Sequence, residues 1–428
     1  MKKENITVIG LGYVGLPLLI ELSKKFSVTG FDINKKKILQ LKSGIDNDLI
    51  LDKDDLKRLS RLNLTNDSKV IRSSNVYIIC VPTPVLSNKL PDLSLLKHAS
   101  QIVGKAISNK DLVIFESTVF PGATEEICVP IIEKYSNLKC DNSKNNKNNY
   151  FMCGYSPERV NPGDPTRKLK KIKKVISASS KNGLVRVNKI YKKIINAGTH
   201  IASSIKVAEA AKIIENTQRD VNVALVNELS KIFNILKIDT NDVLKAARTK
   251  WNFINFVPGL VGGHCIGVDP YYLTYKAKKS GYSPKMILAG RKINDDMSKH
   301  ISKEFLKLMK KKRIKIKKSK ILILGLTFKE NVSDTRNSKV IDLIKYIKPK
   351  VAKVHVYDPY VKKNKFNVNF KLINSLDGNN VYDGLIFAVA HDHFFKISKK
   401  QIFKICKANS AIFDLKNILP DSLVDKRL

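Results

Sequence analysis

The chain has 428 residues, an apolar fraction of 43% and a formal net charge of +40. A chain of this length is longer than the usual size of a domain with a single hydrophobic core, so we expect two or three domains. The apolar fraction excludes a disordered chain. No apolar run approaches the ~20 residues of a membrane-spanning helix, so we expect no membrane partner. The lysines are spread along the whole chain without a nucleic-acid-binding motif beside them, so we also expect no specific nucleic-acid partner.

The beginning of the chain and its cysteines indicate the compartment. MKKENITVIG leads directly into a strand, without the apolar segment of a secretory signal, and this predicts a cytoplasmic protein. The six cysteines contain no C-x-x-C pair, and in a cytosolic chain they are expected to be thiols. They are Cys80, Cys128, Cys140, Cys153, Cys265 and Cys406.

Short apolar strands alternate with helical segments in the first third of the chain. Strands are predicted at 6–10, 27–33, 76–81 and 112–118, and helices at 14–25 and 35–43. This alternation is typical of βαβ units and a parallel sheet. The polar stretch 138–149 predicts an exposed loop.

The rest of the chain begins with an unusually long helical pattern over 205–236, which has no proline. A basic stretch at 310–320 reads as a linker or a solvated edge. A second alternating region follows, with strands at 321–326, 354–359, 384–390 and 411–416. The predicted fold class is therefore α/β, with two Rossmann-like doubly wound domains joined by a long central helix and a helical middle domain. The predicted domains are 1–203, 204–300 and 301–428.

The sequence Gly10-Leu-Gly12-Tyr13-Val14-Gly15 is a G-x-G-x-x-G motif between a predicted strand and a predicted helix. In that setting the first glycine permits the tight turn, the second lets the backbone approach a pyrophosphate, and the third allows close packing of helix on strand. The pyrophosphate would lie at the N-terminus of the helix. We therefore predict a dinucleotide site.

Asp32 ends the next predicted strand, twenty residues after Gly12. A carboxylate there accepts hydrogen bonds from the adenosine ribose and repels a 2′-phosphate, so NAD is the predicted cofactor. Pro82 and Thr83, in VPTP, and Glu116 and Thr118, in ESTVFPG, follow the next two strands, where ligands of parallel sheets bind. We expect Glu116 and Thr118 to line the nicotinamide pocket, although local sequence is equally compatible with ordinary turn and capping residues at these two positions.

A dehydrogenase also needs polar groups for its substrate. Lys212 and Asn216 lie one turn apart on the predicted long helix, although such a pair is usually only a solvated helix face. Glu158 and Arg159 lie in the proline-rich loop YSPERVNPGD. Cys265, in FVPGLVGGHCIGVDP, is open to three interpretations from local sequence, namely a packed thiol, a metal ligand or a nucleophile. His264 and His391-Asp-His393 lack the spacing of metal ligands, so no metal is predicted.

Taken in order, these motifs resemble the UDP-glucose/GDP-mannose dehydrogenase family over essentially the whole chain. The motifs are GLGYVGLP, VPTP, ESTVFPG, SPERVNPG, the K-x-x-x-N helix, GGHCIGVD and FKENVSDTRNS. YSPERVNPGD and GGHCIGVDPYYL are most similar to the branch that acts on UDP-N-acetylhexosamines in bacterial surface-polysaccharide pathways. Many UDP-glucose enzymes have Pro-Lys where this chain has Gly267-Val268, which argues against UDP-glucose as the substrate.

The resemblance implies a four-electron oxidation of a C6 alcohol to a carboxylate with two NAD⁺. Cys265 would form a thiohemiacetal and then a thioester. Lys212 and Asn216 would stabilise the oxyanion, Asp269 would orient water or lysine, and Glu158 would assist thioester hydrolysis. Thr118 would position water near the nicotinamide.

The resemblance also assigns substrate-binding residues and an oligomeric state. Gly262 and Gly263 would give backbone access to the sugar, and Lys329 and Arg336 match positions that bind nucleotide phosphate. Arg248 would reach the site of a neighbouring subunit, since the long helix forms the dimer core in this family. The expected partners are thus a UDP-sugar and a second copy of the chain in a homodimer or higher homo-oligomer.

Three other interpretations stay open. UDP-glucose or UDP-ManNAc would be alternative substrates, and the sequence does not choose between UDP-GlcNAc and UDP-GalNAc. A two-electron dehydrogenase of the β-hydroxyacid type would also have a Rossmann domain followed by a long helix, but it would not need Cys265. A non-catalytic nucleotide-binding protein would keep the Rossmann domain alone.

Overall fold

The computed structural model describes residues 3–46, 51–142, 149–159, 169–361, 366–377 and 380–428. The chain forms two compact units. The first unit contains Met1–Glu215 and Tyr271–Ser283, and the second contains Asn216–Pro270 and Pro284–Leu428. In the described part of the chain, no helix has the length and apolar content needed to cross a membrane.

The first unit is built on a mostly parallel sheet. Its strand order is β3-β2-β1-β4-β5-β7-β8-β9, with β6 beside β7, and only the β7–β8 pair is antiparallel. The order 3-2-1-4-5 is that of dinucleotide-binding sheets. The strands are β1 (Asn5–Ile9), β2 (Ser27–Phe31), β3 (Asn63–Thr65), β4 (Val76–Ile79), β5 (Leu112–Phe115), β6 (Lys139–Cys140), β7 (Tyr150–Tyr155), β8 (Lys174–Ala178) and β9 (Thr199–Ile201).

Helices connect these strands. They are α1 (Gly15–Ser23), α2 (Lys35–Lys42), α3 (Lys53–Leu59), α4 (Ser94–Gly104), α5 (Val129–Ser136) and α6 (Lys181–Lys192). Strands β4 and β5 are buried along their full length, because a parallel sheet has helices on both faces. The apolar side chains of α1 join this core.

The second unit contains a six-stranded, fully parallel sheet in the order β12-β11-β10-β13-β14-β15. Its strands are β10 (Lys320–Leu324), β11 (Lys353–Tyr357), β12 (Lys371–Ile373), β13 (Tyr382–Phe387), β14 (Cys406–Asp414) and β15 (Lys426–Arg427). Separate apolar clusters cover its two faces.

The remaining helices include one that passes from the first unit into the second. They are α7 (Ile205–Leu236), α8 (Thr240–Ala247), α9 (Asp269–Lys279), α10 (Lys285–Asp295), α11 (Met297–Lys311), α12 (Lys339–Ile347) and α13 (Lys399–Ile405). At 1.5 Å per residue, α7 is about 48 Å long. The unit boundary falls inside it, between Glu215 and Asn216.

The predicted fold class is confirmed, and so is the long helix over 205–236. The basic stretch at 310–320, predicted as a linker or a solvated edge, forms a shorter connection over 312–319. Helix α11 continues to Lys311 because Phe305 and Met309 bury its apolar face against the sheet, and β10 already begins at Lys320. The predicted loop at 138–149 contains the short strand β6, and its residues 143–148 lie outside the described part.

The predicted division into three domains stays a prediction. Its boundary between 300 and 301 falls within α11, whose apolar side chains pack with the sheet of the second unit. All six cysteines carry thiols.

Candidate functional site

The glycine-rich turn joins β1 to α1, and its three glycines have different physical reasons. Gly10 has φ +91°, which favours glycine. A Cβ on Gly15 would lie 1.9 Å from the Gly10 carbonyl oxygen, so only glycine lets the helix begin there. A Cβ on Gly12 would meet no protein atom within 4 Å, so protein packing does not explain this glycine. The open space at Gly12 and the N-terminus of α1, which begins at Gly15 after Tyr13 and Val14, fit a bound pyrophosphate.

Asp32 follows the end of β2 and is half-buried beside this turn. Its Oδ2 accepts a hydrogen bond from the Leu11 N–H at 3.0 Å, and its Oδ1 accepts from the Asn34 N–H at 2.9 Å. A carboxylate offers about four lone-pair sites, so acceptor capacity remains for a ribose. The residues around the turn thus fit the adenosine half of NAD.

The structure brings the VPTP and ESTV motifs together at the carboxyl ends of β4 and β5. The Thr83 hydroxyl donates to the Thr118 carbonyl at 2.6 Å, and Pro82 lies next to Thr83 in the chain. The Tyr272 hydroxyl donates to the Thr83 carbonyl at 2.9 Å and so holds the same turn from α9. Thr83 and Thr118 therefore lie at the edge of the sheet where its ligands bind.

Glu116 has a different environment from Thr118. Its carboxylate is buried, forms an ion pair with Lys174 at 2.7 Å and accepts a hydrogen bond from the Tyr191 hydroxyl. Glu116, which directly follows β5, thus contacts side chains of both β8 and α6. Its predicted place beside the nicotinamide stays a prediction.

Glu158 and Arg159 follow β7 in a segment without regular structure. Glu158 is buried, and the Arg159 guanidinium lies 2.5 Å from the Glu215 carboxylate on α7. Residues 160–164 of the YSPERVNPGD motif lie outside the described residues. Lys212 is also buried in this unit, three residues before Glu215 on α7.

In the second unit, Asn216 and Asp269 form a buried pair. The Asn216 amide Nδ2 donates to the Asp269 Oδ2 at 2.6 Å, and both side chains are almost inaccessible to solvent. This hydrogen bond joins the K-x-x-x-N helix to the motif that contains Cys265. Asn216 and Asp269, which the sequence analysis selected from separate motifs, are therefore in contact.

Cys265 is exposed and lies in the turn that begins helix α9. Its carbonyl oxygen accepts from the N–H groups of Val268 and Asp269, at 3.0 and 2.9 Å. Helix α9 thus starts at Asp269, four residues after the cysteine.

The glycines before Cys265 have a packing reason that the sequence did not reveal. A Cβ on Gly262 would lie 2.6 Å from the Asn337 carbonyl oxygen, and one on Gly263 would lie 2.6 Å from the Phe328 ring. Gly263 also has φ +83°. Both glycines are needed where this segment packs against the FKENVSDTRNS motif, whatever they contribute to sugar access.

The FKENVSDTRNS motif forms one side of a pocket in the second unit. The pocket lining includes Gly262, Lys329, Lys339 and Lys416. Arg336 is exposed and makes two hydrogen bonds to Asp334, at 3.0 and 2.8 Å. Glu330 also lines the pocket, so three lysines and one carboxylate leave a net positive charge that suits an anionic nucleotide.

His264 and Arg248 have contacts that define their orientation. The His264 Nδ1 lies 3.6 Å from the Asp334 carboxylate, and burial lowers the pKa of His264 below its ordinary value. The Arg248 guanidinium donates to the Phe256 carbonyl at 3.1 Å. A role for Arg248 in a neighbouring subunit stays a prediction.

Histidines that the sequence singled out have hydrogen-bond partners in the second unit. The His391 Nε2 lies 3.0 Å from the Asp358 carboxylate, and the His393 Nε2 lies 3.1 Å from the Tyr357 hydroxyl. Among the residues that the structure describes, no three His, Cys, Asp or Glu side chains cluster as metal ligands would.

Sequence reasoning missed three buried polar residues on α7. At about 100° per residue, Glu209, Asp220 and Asn227 fall with Lys212 and Asn216 within an arc of about 80°. All five side chains are buried. Polar residues that recur on one face of a helix with many apolar residues are the signal that would have identified them.

Comparison with known proteins gives the same assignment along the chain. Three models of the UDP-glucose/GDP-mannose dehydrogenase family match it: the NAD binding domain at 4–195, the central domain at 206–296 and the UDP binding domain at 322–421. The chain is 49% identical to a UDP-N-acetyl-D-glucosamine 6-dehydrogenase of Pseudomonas aeruginosa, covering 100% of both chains. It is 48% identical to an enzyme of the same name from Salmonella typhi, covering 99% of this chain and 98% of that one. Among solved structures, the UDP-D-ManNAc dehydrogenase of Pyrococcus horikoshii has a TM-score of 0.87 at 29% identity, covering 99% of this chain and 98% of that one.

Proposed function

The chain belongs to the UDP-glucose/GDP-mannose dehydrogenase family of NAD-dependent nucleotide-sugar dehydrogenases, and from this membership we propose that it oxidises C6 of UDP-N-acetylglucosamine to the uronic acid. The observation that carries the proposal is the turn from Cys265 to Asp269. It presents an exposed thiol at the start of α9 and ends at the carboxylate that is bonded to Asn216. A two-electron dehydrogenase would not need this thiol.

The choice of UDP-GlcNAc rests on similarity. The chain is 49% and 48% identical over essentially its whole length to two enzymes named for UDP-N-acetyl-D-glucosamine, and 29% identical to one named for UDP-D-ManNAc. UDP-GalNAc, the C4 epimer, is the second candidate, and UDP-ManNAc and UDP-glucose follow. We propose surface-polysaccharide synthesis as the use of the product, because YSPERVNPGD and GGHCIGVDPYYL are similar to that branch.

The proposed reaction begins with oxidation of the C6 alcohol. When bound, NAD⁺ would supply the hydride acceptor for each of the two oxidations at C6. The alcohol proton leaves with the first hydride, and the sugar becomes an aldehyde. Lys212 and Asn216 donate to the C6 oxygen as negative charge develops there, and a donor of this kind typically contributes ~3–4 kcal/mol to lowering the barrier.

Cys265 acts on the aldehyde. Its thiolate forms a C–S bond to C6, and the carbonyl oxygen takes up a proton to give a thiohemiacetal. Loss of the second hydride, together with that proton, gives a thioester. Water then adds to C6, the C–S bond breaks, and the carboxylate and the thiolate separate.

The other predicted residues have supporting roles in the proposal. Glu158 takes a proton from the hydrolytic water, and its burial suits a general base. Asp269 orients water or the lysine, Thr118 positions water near the nicotinamide, and Lys329 and Arg336 bind the nucleotide phosphates.

We also propose that two copies of the chain associate through α7. Its second half exposes Leu225, Ile232 and Leu236, which share one helix face. An apolar stripe of this kind is typical of a helix that packs against another one. Light scattering on the purified chain tests this proposal, and a monomer at micromolar concentration contradicts it.

The proposed reaction is tested by the yield of NADH. The purified chain is incubated with limiting UDP-GlcNAc, UDP-GalNAc, UDP-ManNAc or UDP-glucose and excess NAD⁺. We expect two NADH per UDP-GlcNAc consumed, with no aldehyde in solution. One NADH per sugar would exclude the four-electron reaction, and faster turnover of another sugar would reassign the substrate.

Cys265→Ser separates the covalent mechanism from the first oxidation. We expect this variant to form no acid, because a serine hydroxyl does not replace the thiolate as nucleophile. Cys140→Ser is the matched control and should retain activity. Wild-type turnover by Cys265→Ser would contradict the covalent step.

A further inference from the structure

Asn227, on α7, pairs with the backbone of Gly259 through both ends of its amide. The Asn227 Oδ1 accepts from the Gly259 N–H at 2.8 Å, and its Nδ2 donates to the Gly259 carbonyl at 3.0 Å. The Asn227 side chain is fully buried. The two hydrogen bonds hold the peptide groups of one residue in the manner of a neighbouring strand.

Gly259 begins the segment that leads to Cys265. Residues 258–262 have no regular structure, so the ladder of a helix or strand does not fix their backbone. The other end of the segment is held by Asn337, whose carbonyl accepts from the Gly263 N–H at 3.3 Å. Asn227 and Asn337 thus bracket the five residues 259–263, and Cys265 lies two residues further along the chain.

A buried network fixes the orientation of the Asn227 amide. Its Nδ2 also donates to the Asn294 Oδ1 at 2.8 Å. The Asn294 Nδ2 in turn donates to the Asp220 Oδ1 at 2.8 Å, and Asp220 is ion-paired with Arg291 at 2.5 Å. In this hydrogen-bond network, each group's role as donor or acceptor is fixed by the group beside it. The Asn227 amide therefore has a single orientation toward Gly259.

We propose that Asn227 is a positioning residue for the reaction of Cys265, because it fixes the backbone by which the chain approaches the nucleophile. The proposal rests on the proposed function, in which Cys265 attacks C6. A displacement of about 1 Å at a reacting group can cost about 100-fold in rate, so a loosened 259–263 segment should lower turnover. The same displacement should leave the glycine-rich turn, in the other unit, unchanged.

A purely structural role is the alternative. Any buried N–H and C=O in an irregular segment need partners, and Asn227 would supply them without consequence for Cys265. The two interpretations differ in kcat and in the reactivity of the thiol. They agree that the segment becomes more mobile when Asn227 is replaced.

The test uses Asn227→Ala and Asn227→Asp in the full chain. Asn227→Asp has the same shape, but it places an oxygen against the Gly259 and Asn294 oxygens, so it remains informative if Asn227→Ala folds poorly. Asn222→Asp is the matched control, because Asn222 lies on the same helix, is not fully buried, and donates to the Gln218 carbonyl of α7 itself.

Three measurements are made on each variant. Hydrogen exchange of the peptide that covers 257–263 reports the Gly259 N–H directly, and it should become faster. The kcat for UDP-GlcNAc should fall by about 10- to 100-fold while KM for NAD⁺ stays within about twofold. Alkylation of Cys265 by iodoacetamide, followed by peptide mass spectrometry, should slow at least about threefold, because the thiol loses its fixed place at the start of α9.

The alkylation measurement needs no substrate and therefore separates the two hypotheses. If the wild-type chain oxidises no UDP-sugar, the proposed function fails, and the alkylation rate alone decides the role of Asn227. Faster exchange with wild-type kcat and wild-type alkylation would make Asn227 purely structural and overturn the proposal. Slower hydrogen exchange of the 257–263 peptide would overturn the proposal as well. So would wild-type values in all three measurements.

Discussion

The two sheets of this chain start with the same turn but use it differently. In the first unit, Gly10 has φ +91° and the next N–H, of Leu11, donates to Asp32 at the end of β2. In the second unit, Gly325 has φ +92° and the next N–H, of Leu326, donates to Asp358 at the end of β11. The turn and the capping carboxylate are therefore equivalent features of two sheets that share the order β3-β2-β1-β4-β5 and β12-β11-β10-β13-β14.

The difference lies in the segment that connects each glycine to the next helix. In the first unit only residues 10–14 separate β1 from α1, so the helix N-terminus lies at the turn, and Asp32 stays half-buried. In the second unit residues 325–338 separate β10 from α12, and His391 covers the Asp358 carboxylate. A Rossmann-like sheet alone therefore does not make a dinucleotide site. The short turn and the accessible carboxylate do.

Replacement of Asp358 tests the role of the carboxylate that His391 covers. Of the predictions made here, it has the largest expected effect on stability. Asp358 accepts from the Leu326, Thr327 and Tyr360 N–H groups and from His391, so Asp358→Ala leaves buried donors without partners. We expect a loss of about 3–5 kcal/mol in the stability of the second unit, with unchanged affinity for NAD⁺. Calorimetry and NAD⁺ titration measure the two effects.

The exposed neighbour Asp392 supplies the control for this experiment, since Asp392→Ala should leave the melting temperature within about 1 °C. The pH dependence gives a second check. Although burial raises it, the hydrogen bond from His391 and the backbone N–H groups hold the pKa of Asp358 below its ordinary value. Its contribution to stability is thus present above pH ~4 and lost as the pH falls through the folded-state pKa. A weaker NAD⁺ complex in Asp358→Ala would contradict the assignment of the dinucleotide to the first unit.

Glu209 provides the opposite case in the first unit. Its carboxylate accepts from the Gly122 and Thr124 N–H groups, the latter at 2.9 Å, yet burial raises the pKa of Glu209 to about 7. Glu209 therefore favours the folded state when it is protonated. That contribution is complete below the unfolded pKa of ~4.5 and is lost as the pH rises through about 7, at a cost of about 3 kcal/mol at most.

Glu209→Gln should remove this dependence. We expect the melting temperature of the wild-type chain to fall by several degrees between pH 5 and pH 8, and that of Glu209→Gln to fall clearly less. Glu126→Gln is the control, because Glu126 is more exposed and the Lys276 ammonium lowers its pKa. Parallel curves for wild type and Glu209→Gln would show that Glu209 does not titrate in this range.

The sequence predicted those parts of the molecule that depend on local pattern. The strands β1, β4 and β5, the helix over 205–236 and the turn at Gly10 follow from hydrophobic periodicity and glycine spacing, and the structure confirms them. The pairing of Asn216 with Asp269, 53 residues apart, was not derivable from spacing, although both residues were selected. Both residues were selected because their motifs occur in the order typical of the family. Their contact depends on the tertiary structure.

The features that the sequence missed depend on contacts between distant segments. Gly262 and Gly263 were explained by access for the sugar, whereas Asn337 and Phe328 already require glycine at both positions. Glu116 was selected for its place after a strand, but the ion pair with Lys174, 58 residues away, determines where its side chain points. Long-range packing of this kind leaves no trace in local spacing.

Asp32→Ala tests the role of the half-buried, accessible carboxylate beside the glycine-rich turn of the first unit. Hydrogen bonds to a charged group are worth about 1.5–3 kcal/mol, so we expect NAD⁺ to bind about 10- to 100-fold more weakly. Affinity for UDP, which we assign to the second unit, should not change. Titration of both ligands measures this, with Asp54→Ala, an exposed residue of α3, as the control. Equal loss of UDP and NAD⁺ affinity would indicate unfolding rather than a lost ribose contact.

Gly12→Ala makes the smallest change and tests the comparison most directly. Because a Cβ at Gly12 meets no protein atom within 4 Å, the folded chain should be stabilised slightly, by about 0.4–1 kcal/mol, through a less flexible unfolded state. NAD⁺ binding should nevertheless weaken about tenfold, or about 1.4 kcal/mol, because the methyl group occupies the space assigned to the pyrophosphate. The equivalent turn gives the opposite pattern. Gly325→Ala places a Cβ 2.5 Å from Val389 at φ +92°, so it should destabilise the second unit and leave NAD⁺ affinity unchanged. If Gly12→Ala binds NAD⁺ as wild type does, the open space beside Gly12 is not the cofactor site, and the difference between the two turns must be explained by folding alone.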